Sequence, residues 1–126
     1  MAFVLDASVV LAVLFEEPIG NLQFGDLLEG LLSSVNYSEI LARCMDRGMG
    51  ADLAERQIAR LNIAIVPFDA GNARQAAQLR EATRHRGLSL GDRACLALAL
   101  REGLPVLTAD RQWDGLDLGV DIRQIR

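Results

Sequence analysis

Asp6, Glu39, Asp92 and Asp110 are the side chains of this sequence best placed to do chemistry. Asp6 ends the apolar run Ala2-Phe3-Val4-Leu5, and Asp110 comes directly after the run Pro105-Val106-Leu107-Thr108. Glu39 falls in the first turn of the helix after a second apolar run, and Asp92 in the first turn of an apolar helix over Ser89–Glu102. Singly, each acid has a plain structural role. Asp6 and Asp110 are potential helix caps, while Glu39 with Asn36 and Asp92 with Ser89 have capping-box spacing. Such contacts contribute only about 0.3–1 kcal/mol each. Capping does not require four carboxylates at one edge, since Asn or Ser caps as well and repels nothing. Like charges in a shared site raise one another's pKa and cost stability unless a cation neutralises them. A donor set made only of oxygens suits Mg²⁺ or Mn²⁺ rather than zinc. Ions held in this way activate water and stabilise charge on a phosphodiester, with no need of His, Lys or Cys.

Other chemistries are excluded by composition. All 13 basic residues are Arg. Without lysine there is neither a Walker A loop nor a Schiff base. His85 is the single histidine, and no nucleophile motif accompanies it. Cys44 and Cys95 lie among alanine and leucine, which fits buried free thiols rather than a disulfide scaffold.

The acids need a frame that brings them together. The apolar run Ala2–Leu5 predicts a buried strand, the runs at Leu31–Val35, Asn62–Pro67 and Pro105–Thr108 predict three further strands, and alternation over Val120–Ile125 predicts an edge strand. Helices are expected over Ala7–Phe15, Asn21–Glu29, Asn36–Arg47, Ala51–Leu61, Asp69–Arg86 and Ser89–Glu102, with a helical turn after Asp110. Strands alternating with helices predict an α/β fold, with a parallel sheet covered on both faces. No linker or repeat divides residues 1–126, so a single domain is expected. Ligands bind such folds at the carboxyl ends of the strands, where the strand order reverses. Asp6, Glu39 and Asp110 are expected at that edge, with Asp92 at a helix start facing it.

Val4-Leu5-Asp6-Ala7-Ser8, Val35-Asn36-Tyr37-Ser38-Glu39-Ile40, the stretch Leu88 to Ala99 and Leu107-Thr108-Ala109-Asp110 together resemble the motifs of PIN-domain ribonucleases. The first is a weak signal. The run Ser-Leu-Gly-Asp-Arg-Ala-Cys-Leu-Ala-Leu-Ala from Ser89 is a strong one. Length and third motif are similar to the VapC toxins of toxin–antitoxin pairs, and the likeness covers nearly the whole chain. It implies a three-layer α/β/α PIN fold with a central parallel sheet of about five short strands. It also implies Mg²⁺- or Mn²⁺-dependent cleavage of RNA, a homodimer and an antitoxin that blocks the site. By matching positions, Asp6, Glu39, Asp92 and Asp110 would be the catalytic and metal-binding acids, assisted by Ser8 and Thr108. Asp114 would support or replace Asp110. Asp6 and Asp92 are the foremost expected ligands, and Glu39 a ligand or a base; the number of ions stays open.

The formal charge is −4, from 17 acids against 13 Arg, which does not suit binding of nucleic acid by bulk charge. Setting the four proposed ligands aside balances the remainder. Arg43, Arg93 and Arg111 flank the acids and are candidates for contacts with RNA phosphates; Arg84 and Arg86 make a second small basic patch. The 51% hydrophobic content in so short a chain is consistent with a homodimer seam, with Asn21–Glu29 and Asn36–Arg47 as candidate contributors. The longest uncharged runs have nine residues, too few to cross a membrane. Asp6 interrupts the apolar start and no basic residue precedes it, so no signal peptide and a cytoplasmic protein are expected. Competing readings are a phosphatase-like metal enzyme, a DNA-directed nuclease of related fold, and a non-catalytic partner of an antitoxin repressor. Against the first, Ser8 stands where a second acid belongs and the supporting lysine is missing. Against the last, pure binding does not need four acids.

Overall fold

Alternation at the level of single residues builds the layers. In the computed structural model, which describes residues 2–27 and 29–126, Phe3, Leu5, Leu32 and Leu107 point into one buried cluster, whereas Val4 and Val106 point into another. Successive strand side chains face opposite ways, so a strand apolar at every position feeds two cores.

The strands are β1 (Val4–Leu5), β2 (Leu31–Ser33), β3 (Ala64–Val66), β4 (Val106–Thr108) and β5 (Ile122–Gln124). They form one parallel sheet in the order β3-β2-β1-β4-β5. Val4 pairs with Leu31 on one side and with Val106 on the other. The helices are α1 (Ala7–Leu14), α2 (Ser34–Asp46), α3 (Ala51–Ala59), α4 (Ala70–Gln78), α5 (Arg80–Thr83) and α6 (Leu90–Glu102). Buried residues of α1, α2 and α3 join the core of Leu5 and Leu32, while α4 and α6 join that of Val4 and Val106. The result is the expected three-layer α/β/α arrangement. Ala94 to Ala99 of α6 are all buried, because this helix packs on the sheet, α2 and α4 at once. Burying side chains of this size contributes about 1.5–3 kcal/mol for each Val or Leu.

Three expected elements differ. Asn21–Glu29 is not a helix; a 3-10 turn covers Phe24–Asp26, the Asp26 carboxylate accepts from the Gln23 backbone, and position 28 lies outside the described residues. Asp69–Arg86 is not continuous either. It is α4, α5 and a 3-10 turn over Arg84–Arg86, and the Thr83 hydroxyl donates back to the Leu79 carbonyl at 2.8 Å. Gly87, with φ of 65°, takes the left-handed conformation that ends this stretch. Finally, α2 begins at Ser34, with Ser33 as its N-cap, rather than at Asn36. The Ser33 hydroxyl accepts from the Val35 amide, so Asn36 and Glu39 form no capping box.

The chain leaves β1 toward β2 and β3, then returns to place β4 and β5 on the far side of β1. The strand order therefore reverses between β1 and β4, which puts a crevice at their carboxyl ends.

Candidate active site

Asp6 is the first residue beyond β1 and sits at the floor of this crevice, 4% exposed. It occupies the N-cap position of α1 but makes no capping bond. Its Oδ2 instead accepts from the hydroxyls of Ser8 (2.6 Å) and Thr108 (2.8 Å). Ser8 Oγ in turn accepts from the Ala109 amide, and Thr108 Oγ1 from the Asp110 amide. With both hydroxyl protons committed to Asp6, the 3.4 Å approach of Ser8 to Thr108 is a contact rather than a hydrogen bond. The two hydroxyls thus fix one oxygen of Asp6, and among the described residues Oδ1 has no donor.

Asp92 reaches the same place from α6. Its Oδ2 accepts from the Ser89 amide while the Ser89 hydroxyl accepts from the Asp92 amide, a reciprocal box that fixes the first turn. Asp110 caps the 3-10 turn Arg111–Trp113 through Oδ1, which accepts from the Gln112 amide. Glu39 projects from the second turn of α2. All four acids line one cleft of about 280 Å³, together with Ser8, Ser89 and Arg43.

Burial is the main electrostatic influence. It pushes the Asp6 carboxyl up from 3.8 to about 6, against the pull of the Ser8 and Thr108 hydroxyls; the charges of Asp92 and Glu39 add to the rise. Burial also raises Asp92, opposed by its Ser89 hydrogen bonds and by Arg93, and assisted by Asp110. Behind them, fully buried Cys95 is held neutral by desolvation and by the charges of Asp6, Asp92 and Glu39, so its thiol is no nucleophile. Among the described residues none of the four acids forms a salt bridge. Nor does any group of three or more His, Cys, Asp or Glu already stand as a metal-binding cluster there. The donor set still fits a hard cation: four carboxylates, free oxygens on each, and mutual repulsion that a divalent ion would relieve.

Asn36 and Gly91 were missed as parts of this site. Asn36 is fully buried, and its Nδ2 donates to the Gly91 carbonyl at 2.9 Å, tying α2 to the first turn of α6. A Cβ on Gly91 would lie 3.3 Å from Glu39 Oε1 and 3.5 Å from Asn36 Nδ2, so the missing side chain lets Glu39 approach the turn that carries Asp92. The sequence signals were an Asn inside the inward stripe Asn36, Ile40, Cys44 and a Gly next to Asp92.

The flanking residues divide. Arg43 is exposed, lines the cleft and has no salt bridge among the described residues. Arg93 turns to α4, where its Nη1 donates to the Ala76 carbonyl at 2.9 Å. Arg111 pairs with Asp114 at 3.5 Å and donates to the Arg126 carbonyl. Asp114 also accepts from Gln124, and its carbonyl receives Arg86. Arg93, Arg111 and Asp114 are not walls of the cleft. Arg86 donates to the carbonyls of Gln112 and Asp114, which holds its guanidinium against the turn after β4.

The PIN domain family profile matches residues 3–118. This chain belongs to the PIN domain family. PIN domains are generally nucleases. No curated protein sequence matches significantly. Among solved structures, this PIN domain is similar to a chain of the DNA-bound VapBC complex from Salmonella typhimurium, with TM-score 0.75, 17% identity, and coverage of 100% of this chain and 99% of that one. It is also similar to a chain of VapBC2 from Rickettsia felis bound to a promoter fragment, with TM-score 0.73, 14% identity and 98% of each chain covered. A chain of VapBC-5 from Mycobacterium tuberculosis, a toxin–antitoxin system, matches with TM-score 0.62 and 26% identity over 99% of this chain and 98% of that one. Among the described residues no helix is long and apolar enough to cross a membrane.

Proposed function

We propose that this PIN domain is a divalent-metal-dependent endoribonuclease, the VapC-type toxin of a toxin–antitoxin pair. The observation that carries the reading is the cleft itself. Four carboxylates from four separate elements line it, and two of them are raised by burial, yet none is paired with a cation among the described residues. A purely structural arrangement gains nothing from that repulsion. Asp6 and Asp92 would hold Mg²⁺ or Mn²⁺, with Asp110 completing the set and Glu39 left as the base. Held there, the ion supplies Lewis-acid polarisation of the phosphoryl oxygens.

The remaining work falls to the chain. Ser8 and Thr108 hold Oδ2 and keep the Asp6 carboxylate from rotating at the cleft wall. Glu39 accepts a proton from the attacking water, whose oxygen bonds to phosphorus as the bond to the leaving oxygen breaks; solvent protonates the departing strand. Arg43, at the cleft wall, faces the phosphate. The named relatives are toxin–antitoxin complexes, and that supports an antitoxin as the partner, bound beside the acidic edge. An inserted arginine would suit the four carboxylates as a charge-assisted, bidentate plug. Incubation of labelled RNA with the protein in Mg²⁺ and in chelator tests the reading. Fragments in Mg²⁺ only are expected; cleavage that persists in chelator, or intact RNA in both, overturns it.

A further inference from the structure

A second depression, of about 420 Å³, adjoins the acidic cleft and shares Ser8, Leu11 and Arg43 with it. Arg47 and Arg126 complete its basic wall, and Glu17 and Asp46 also line it. The arginines are not loose. The Arg47 guanidinium stacks on the Phe15 ring at 4.0 Å and meets Glu17 at 3.6 Å. Arg126 Nη1 donates to the Pro18 carbonyl. Arg43 lies one helical turn beyond Glu39, where the two depressions meet. Three arginines border this depression against the two acids Glu17 and Asp46, so its lining is net positive beside a cleft lined by four carboxylates.

We propose that this depression is a phosphate-binding track for single-stranded RNA, leading from the acidic cleft across α1 and α2 toward the loop at Glu16–Pro18. The proposal rests on the nuclease reading of the acidic cleft and adds to it the side on which the substrate strand lies. An acidic cleft repels phosphates, and even when filled by metal it grips only the scissile one. Fixed guanidinium groups beside it hold the next phosphates by charge-assisted, bidentate bonds and so set the register of the strand. Stacking on Phe15 also reduces the rotamer freedom that Arg47 loses on binding. Three of the 13 arginines border this one depression, which gives a chain of net charge −4 a local surface suited to a polyanion.

The test is a binding titration. The parent is the Asp110→Asn protein in Mg²⁺, and the probe is a fluorescent single-stranded RNA of mixed sequence, read by anisotropy from low to moderate salt. A phosphate contact on single-stranded nucleic acid contributes about 0.7 to the slope of log affinity against log salt. Arg43→Gln and Arg126→Gln should each lower the slope by about 0.7 and weaken binding several-fold at low salt. Arg80→Gln, on exposed α5 away from both depressions, should change neither. Equal effects at Arg80, unchanged slopes in the two track variants, or no RNA binding by the parent overturns the proposal. Variants that lose affinity only for a partner protein do so as well, and assign the wall to that protein. Wild-type cleavage in Mg²⁺ and in chelator reads the acidic cleft separately. Metal-dependent cleavage with unchanged slopes sinks the track and keeps the nuclease; arginine-dependent slopes without cleavage do the reverse.

Discussion

Replacing Asp6 by Asn should stabilise the metal-free protein at neutral pH. Asp6 is 4% exposed, and burial pushes its carboxyl from 3.8 to about 6. A folded-state pKa above the unfolded one means that the folded protein binds more protons between those values. Stability is then fully present below the unfolded pKa and is lost as pH rises through the folded one. The rise from 3.8 to about 6 is equivalent to about 3 kcal/mol of destabilisation by the ionised carboxylate at pH 7.5, and to about 1 kcal/mol at pH 4.5. Asn keeps an oxygen to accept from Ser8 and Thr108, but it cannot ionise. Urea unfolding of both proteins in chelator, at pH 7.5 and 4.5, gives the comparison. Any cost of accommodating the amide is the same at both pH values, so the pH dependence of the difference is the readout. The advantage of Asn should shrink by about 2 kcal/mol on acidification. A difference that is constant with pH, or one that grows as pH falls, would refute the assignment of burial as the dominant influence on Asp6.

Metal should act on the same strain. Mg²⁺ or Mn²⁺ at about 100 times its Kd should stabilise the wild type by about 2.7 kcal/mol in thermal unfolding and leave an Asp6→Ala, Asp92→Ala double mutant unmoved; equal shifts would locate the ions elsewhere. Gly91→Ala should leave urea stability unchanged or slightly higher, since Ala favours helix by about 1 kcal/mol, yet lower RNA cleavage by displacing Glu39, whose Oε1 would lie 3.3 Å from the new Cβ. Wild-type cleavage in that variant would remove Glu39 from the site. A homodimer is expected, with Met45, 58% exposed on α2, in or near its seam; a monomer mass by light scattering at micromolar concentration would count against it.

The strands and the acidic edge were legible because local chemistry decides them. Val4 and Leu5 are apolar at consecutive positions, which announces a strand buried on both faces, and Asp6 and Asp110 lie just beyond strand ends whatever the tertiary detail. Elements with several local solutions were not. Ser33, Ser34 and Asn36 all cap helices well. Ser33 takes that role because Ser34 holds the Phe68 amide and Asn36 is drawn into the α2–α6 contact. Gly25 within the apolar pattern of Asn21–Glu29, and the Asp26 bond to the Gln23 amide, favour a turn over a helix there. The long arginines were least legible. Arg93 and Arg111 are near Asp92 and Asp110 in sequence, but each finds a backbone carbonyl on another element. Arg47, at the end of the helix that carries Glu39, and Arg126, at the far end of the chain from Asp6, border the depression beside the acids.

Single-turnover RNA cleavage in Mg²⁺ by four neutralised variants and one control is the most direct test of the claim that the cleft is one metal-dependent catalytic centre. Asp6→Asn, Glu39→Gln, Asp92→Asn and Asp110→Asn should each slow cleavage by at least about a hundredfold, about 2.7 kcal/mol of barrier, while remaining folded. Asp114→Asn, outside the cleft, should cut at nearly the wild-type rate. Wild-type rates in Asp6→Asn or Asp92→Asn, or a loss at Asp114 as large as theirs, would contradict the account.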